Sequence, residues 1–224
     1  MRHEWSRQLQ AEYRSCAVTQ TLALWLTQIG APPELVRAAL EIAEDELSHA
    51  ELARDVCSAA GADPRIELER SRLSFPAKRE RLELDVAVCG LRVFCVGETV
   101  AVPLFAAMRA RCRVAAARPF FERVLRDEVR HRDFGWLLLD WMLDTADGDD
   151  VRVLAGREVP GMLEEIRRAY RAADPGRRTI DADEEAWGLL PTPEYETVVD
   201  RTILETHLPR FAARGLDVRT DRQP

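Results

Sequence analysis

Along most of this chain, apolar residues return every three or four positions, the period of a helix buried along one face. The first such stretch covers residues 5–29, with Leu9, Val18, Leu22, Leu24 and Trp25 among its apolar positions, and Gly30 ends it. Pro33 opens a second over residues 34–60, closed by Gly61, and the short link makes the two antiparallel neighbours. A longer connection over residues 62–78, holding Pro64 and Pro76, is long enough to cross from one end of a bundle to the other. A third helix is predicted over residues 79–112 and a fourth over 119–145, opened by Pro119 and terminated by Gly148. Short link, long crossover, short link is the connectivity of a four-helix bundle with one long crossover.

The last third is less regular. Asp150 is placed to cap a fifth helix, with Pro160 and Gly161 breaking or kinking it before a piece over residues 162–172. A charged surface loop follows over residues 174–191, with one helical turn at 184–187. A final helix is predicted over residues 192–213, opened by Thr192 and Pro193, with a kink at Pro209 and a stop at Gly215. No stretch alternates with the two-residue period of a strand. The expected fold class is all-α: residues 1–224 as a single domain, with the bundle in residues 5–146 and helices of residues 150–217 packed on it.

The polar residues inside these apolar stretches change the picture. Asp45-Glu46-Leu47-Ser48-His49 and Asp127-Glu128-Val129-Arg130-His131 repeat one pattern, and each is preceded by a lone glutamate, Glu12 and Glu98. From the composition, Asp-Glu-x-x-His is expected about 0.03 times in a chain of this length, so two copies are no accident. Glutamate and histidine three residues apart project from one helix face, about one turn from each other. The copies lie 82 residues apart, and Glu12 and Glu98 lie 86 apart, so the chain is an internal repeat of two helix pairs. Two such pairs face to face bring together six ligands, Glu12, Glu46, His49, Glu98, Glu128 and His131, around two metal ions. Glu98 stands out because it lies among Val93, Phe94, Val100, Leu104 and Phe105, where a lone carboxylate is costly. Nothing local marks Glu12.

Four carboxylates against two divalent cations leave the core near neutrality. Oxygen-rich ligation with one imidazole per metal suits iron or manganese rather than structural zinc. The expected cofactor is therefore two Fe ions, with Fe/Mn or Mn/Mn as variants. Cys16 and Thr19 follow Glu12 by four and seven positions, and Cys95 precedes Glu98 by three, so helical spacing makes all three pocket candidates. Small core fillers are the bland alternative for these three. Pro103 is expected to bend the third helix just past Glu98 and free a backbone carbonyl. His3 and His207 fall outside any ligand pattern and read as surface or helix residues.

These motifs resemble the ferritin-like di-iron carboxylate superfamily over residues 12–140, and in particular bacterial ferritin-like proteins without an assigned activity. The resemblance implies that Glu46 and Glu128 bridge the metals and that Glu12 and Glu98 are terminal ligands. It further implies that Asp45 and Asp127 orient the metal-bound imidazoles, with Arg130 matching the arginine of the second motif. Ser48 departs from the pattern in the first motif. Within this superfamily the expected function is an O2-activating oxidase or oxygenase acting on a small organic substrate, supplied by an external electron donor. A ferroxidase or peroxidase of the bacterioferritin or rubrerythrin kind, or a tRNA-modifying hydroxylase, is the alternative.

Composition trims these options. A net charge of −7 argues against nucleic acid as partner, and the arginines at 109, 111, 113 and 118 and at 167, 168, 171, 177 and 178 read as solvated helix ends. The five cysteines form no Cys-x-x-Cys pair, which argues against a thiolate iron module, thiolate zinc or a disulfide scaffold. No apolar run is read as approaching the ~20 residues of a bilayer span, and the polar start lacks an apolar signal core. A cytoplasmic protein, with no membrane partner and a homodimer as its expected oligomer, is the reading.

Overall fold

The computed structural model describes residues 1–171 and 179–218. The described residues are all-α, about 77% helical and without strands. They group into two compact units, one of residues 1–78, 105–127 and 181–189, the other of residues 79–104, 128–171, 179–180 and 190–218.

In the first unit, α1 (Arg2–Gln28) and α2 (Pro33–Ala59) form a helical hairpin. Gly30 and Gly61 adopt the left-handed φ values of 70° and 65° expected of C-terminal stops. The amide of Ala31 reaches back to the Leu26 carbonyl at 2.9 Å and that of Ala62 to Cys57 at 2.8 Å, closing both helices. The buried stripe of α1 runs Trp5, Leu9, Glu12, Cys16, Thr19, Leu22 and Leu26, at steps of three and four. The Trp5 ring sits edge-on to Phe120 and Phe121, with centroids 5.1 and 5.6 Å away. The crossover is non-helical apart from a 3-10 turn at Arg70–Arg72. The helical turn expected at 184–187 is α7 (Ala182–Ala186) in the chain-order numbering used below, and it is tied down by the Met1 ammonium on Glu184 at 2.7 Å.

The predicted third helix is one rod of three parts: α3 (Leu82–Cys89), a π-helical stretch (Gly90–Glu98) and α4 (Thr99–Arg111). Irregularity was expected at Pro103, after Glu98; Pro103 instead lies inside α4, and the wide turn comes before Glu98. By length and mean composition this rod is apolar enough to cross a membrane, although Arg92 and Glu98 interrupt it; 61% of its most apolar window is buried within the protein, as in a core helix.

The fourth predicted helix is α5 (Arg118–Leu143). Gly148 does not terminate it; it opens α6 (Gly148–Arg171), where a Cβ would meet the Leu143 carbonyl oxygen at 2.3 Å. α6 also runs through Pro160 and Gly161 without the break that was one of the two expectations there. Its buried face, Val151, Leu154, Ala155, Val159, Met162 and Leu163, continues in register past Pro160, and that packing outweighs the one lost backbone hydrogen bond. Arg167 is not a solvated helix end: it is buried, and its guanidinium meets Asp200 at 2.8 Å and Glu164 at 2.6 Å. Arg177, Arg178 and the start of the 174–191 loop lie outside the described residues.

The last predicted helix is α8 (Thr192–Thr202), a second π-helical stretch (Ile203–His207) and α9 (Leu208–Ala212), with Gly215 at φ 70°. Pro209, where a kink was expected, lies in the first turn of α9, just after the wide turn. His207, expected at a surface or within a helix, is helical and fully buried; His3 is exposed.

Candidate metal centre

Three ligand candidates converge within the first unit. Glu12 occupies a position in the buried stripe of α1, while Glu46 and His49 belong to that of α2. One ligand atom from each of the three lies within 4.8 Å of the others. His49 Nδ1 is 3.7 Å from Glu46 Oε2 and 3.8 Å from Glu12 Oε2. Those separations are too long for hydrogen bonds. They match ligands that share one cation at about 2.1 Å each.

The other face of the imidazole explains its orientation. His49 Nε2 lies 3.2 Å from Asp127 Oδ2. A carboxylate only accepts, so Nε2 carries the hydrogen and Nδ1 is left as the basic nitrogen facing the two glutamates. Burial alone raises the pKa of Asp127, but hydrogen bonds from Arg123, Arg126 and His49 outweigh it and hold the carboxyl down to about 2. Arg123 spans both motif aspartates: Nε bonds Asp127 and Nη2 reaches Asp45 Oδ1 at 3.0 Å. Gln8 donates to Glu12 Oε1 at 2.5 Å from one turn earlier on α1.

The second unit holds the matching set. Glu98, Glu128 and His131 also bring one ligand atom each within 4.8 Å of one another. His131 Nδ1 lies 3.3 Å from Glu128 Oε2, and His131 and Glu128 are both buried. Glu98 is the last residue of the π-helical stretch, at 9% exposure. All six predicted ligands are therefore interior, three in each unit.

Asp127, from the second motif, serves the histidine of the first. The guanidinium of Arg123, one turn before Asp127 on α5, joins Asp127 and Asp45, and Arg130 is exposed. Nothing in the second motif pointed to Arg123, although its four-residue spacing from Asp127 is the ordinary spacing of a helical ion pair. Gln8 stands at the same spacing from Glu12.

Among the pocket candidates, Cys16 and Thr19 are buried on the Glu12 face of α1. Burial, with the Glu46 charge second, raises the Cys16 thiol, which keeps it a neutral wall rather than a thiolate ligand. Cys95 turns elsewhere: its thiol donates to the Gly135 carbonyl at 3.2 Å, and its charged neighbours are Arg214, Asp140 and Arg210. The three-residue offset from Glu98 assumed an α-helix, and the wider π turn rotates Cys95 off that face. All five cysteines are buried free thiols.

Two carboxylates and one imidazole, all interior, make a hard, oxygen-rich donor set in each unit, suited to iron or manganese. No protein-family model, curated protein or solved structure matches the chain.

Proposed function

We propose that the two Glu-Glu-His triads serve one dinuclear centre in a ferritin-like helical bundle, and that the protein is an O2-dependent di-iron oxidoreductase acting on a small organic substrate. The observation that carries this reading is that each copy of the repeated motif, with its lone glutamate, yields its own buried triad.

Two iron ions held together supply paired electrons for the reduction of dioxygen. The chain's own residues set the conditions for that chemistry. Ionised Asp127 keeps the proton of His49 on Nε2, so that Nδ1 is the ligand atom. Arg123 balances the charge of Asp45 and Asp127 behind the ligands. Cys16 and Thr19 offer a small, uncharged wall on the Glu12 side, where an apolar part of a substrate finds no competing thiolate.

The test is anaerobic loading of metal-free protein with ferrous ion, followed by exposure to O2. Two irons bound per chain and stoichiometric O2 uptake are expected. Absence of iron binding, or iron binding without O2 uptake, contradicts the proposal. Assembly into a hollow shell that accumulates mineral iron selects the ferroxidase alternative.

A further inference from the structure

Glu98 is the one candidate ligand whose backbone is not ordinary α-helix. A π-helical stretch of nine residues, Gly90–Glu98, leads into it. Such turns are rare, and they persist where the surroundings hold them. The holding contacts lie on both sides of Glu98. Two residues before it, the Val96 carbonyl accepts a hydrogen bond from His207 Nε2 at 3.1 Å. One residue after it, Thr99 Oγ1 accepts from the indole Nε1 of Trp136 at 3.1 Å. Cys95 donates to the Gly135 carbonyl, and a Cβ on Gly135 would stand 2.5 Å from Phe94 Cβ, so α5 lies directly on the wide turn.

Both pins depend on the C-terminal helices. His207 is fully buried at the end of its own π-helical stretch. Burial lowers its pKa to about 4, against the pull of the backbone groups at Val96, Thr202 and Cys95, so the ring is a neutral donor at physiological pH. Trp136 is held from the same side. Phe211 stacks edge-on at 4.9 Å, and the Arg214 guanidinium lies 4.8 Å over the indole. Arg214 is itself fixed by Asp140 at 2.6 and 2.8 Å.

We infer that His207 and Trp136 are positioning residues that lock the backbone on either side of Glu98, so that the C-terminal helices set the geometry of the second triad. The inference rests on the metal-binding reading above. Its physical content is that Glu98 reaches its ligand position only while the wide turn is pinned. Releasing one pin lets the stretch relax toward α-helix and swings the carboxylate away.

The experiment loads metal-free full-length protein with Co2+ under anaerobic conditions. It compares wild type, His207→Gln, His207→Leu and Trp136→Phe by absorption spectrum, by affinity for each cobalt equivalent and by thermal melting. Wild type is expected to bind two equivalents. His207→Leu should weaken one of them by about 10-fold or more and alter its ligand-field bands, the size typical of a lost outer partner. His207→Gln, which can still donate to Val96, should restore both. Trp136→Phe removes only the indole donor, so it carries the test if His207→Leu does not fold. Variants with wild-type spectra and affinities, even at lower melting temperature, overturn the inference and leave the metal reading intact. A wild type that binds no cobalt overturns the metal reading, and the inference with it.

Discussion

The two triads use the same three residue types, but the backbone that carries them differs. In the first, all three ligands stand on regular α-helix, and polar neighbours finish the orientation: Gln8 on Glu12 and Asp127 on His49, with Arg123 behind. In the second, Glu98 is set by the backbone, at the end of a π-helical stretch pinned by His207 and Trp136. Changes in side-chain charge should therefore reach the first triad through Asp127 and Gln8, and changes in helix geometry should reach the second through Glu98.

The largest effect should come from removing a ligand. His49→Ala or His131→Ala takes away the only imidazole of its triad, and metal analysis should show at least one ion lost per chain. Retention of two ions in both variants breaks the assignment of one metal to each triad.

Acid should separate the units next. His207 is depressed to about 4 from an ordinary 6.5, so the unfolded chain binds its proton at higher pH than the folded protein. Its contribution is complete above pH 6.5 and is lost as the pH falls toward 4, on the order of 3 kcal/mol in all. Urea unfolding of wild type at pH 7 and pH 5 should show this slope, and His207→Gln should flatten it. Equal slopes in the two proteins remove His207 as the cause.

Asp127→Asn leaves the ligand atoms in place but removes the anion that fixes the His49 tautomer. Metal affinity at the first triad should fall about 10–100-fold, with the second less affected, as read by competition with a chelator. An unchanged affinity would show that His49 needs no such partner. Gly135→Ala probes the other side. Its Cβ would overlap Phe94, so a loss of about 1–3 kcal/mol is expected in denaturant melts. A neutral result would mean that α5 can draw back from the wide turn.

The smallest effect concerns the two arginines. Arg123→Ala strips a partner from buried Asp127 and should cost about 1–3 kcal/mol, whereas exposed Arg130→Ala should stay within about 0.5 kcal/mol. Equal losses would show that both guanidinium groups brace the site to the same degree.

The legibility of the sequence follows the same division. Helix ends with positive-φ glycines, Gly30, Gly61 and Gly215, were readable because left-handed backbone needs that residue. Gly148 was misread because close approach to Leu143 leaves the same letter in the sequence as a stop does. The paired motifs announced their ligands, since apolar surroundings make interior carboxylates conspicuous. Glu12, which nothing local marks, was placed by the repeat, and it falls in the buried stripe with Leu9, Cys16 and Thr19. The two π-helical stretches were not readable, because one added residue per turn leaves no periodic mark over five or nine residues. The orientation of Cys95 goes with the first of those turns and fits the core-filler alternative, while the burial of His207, at the end of the second, was missed. Arg167 was hidden for another reason: its partners Asp200 and Glu164 come together only through tertiary packing.

The most direct test is anomalous diffraction at the iron edge from crystals loaded anaerobically with ferrous ion. Two peaks are expected about 3.5–4 Å apart, each within bonding distance of one triad's glutamates and histidine. A single peak, or iron only at surface carboxylates with Glu46, His49, Glu128 and His131 bare of metal, would contradict the account.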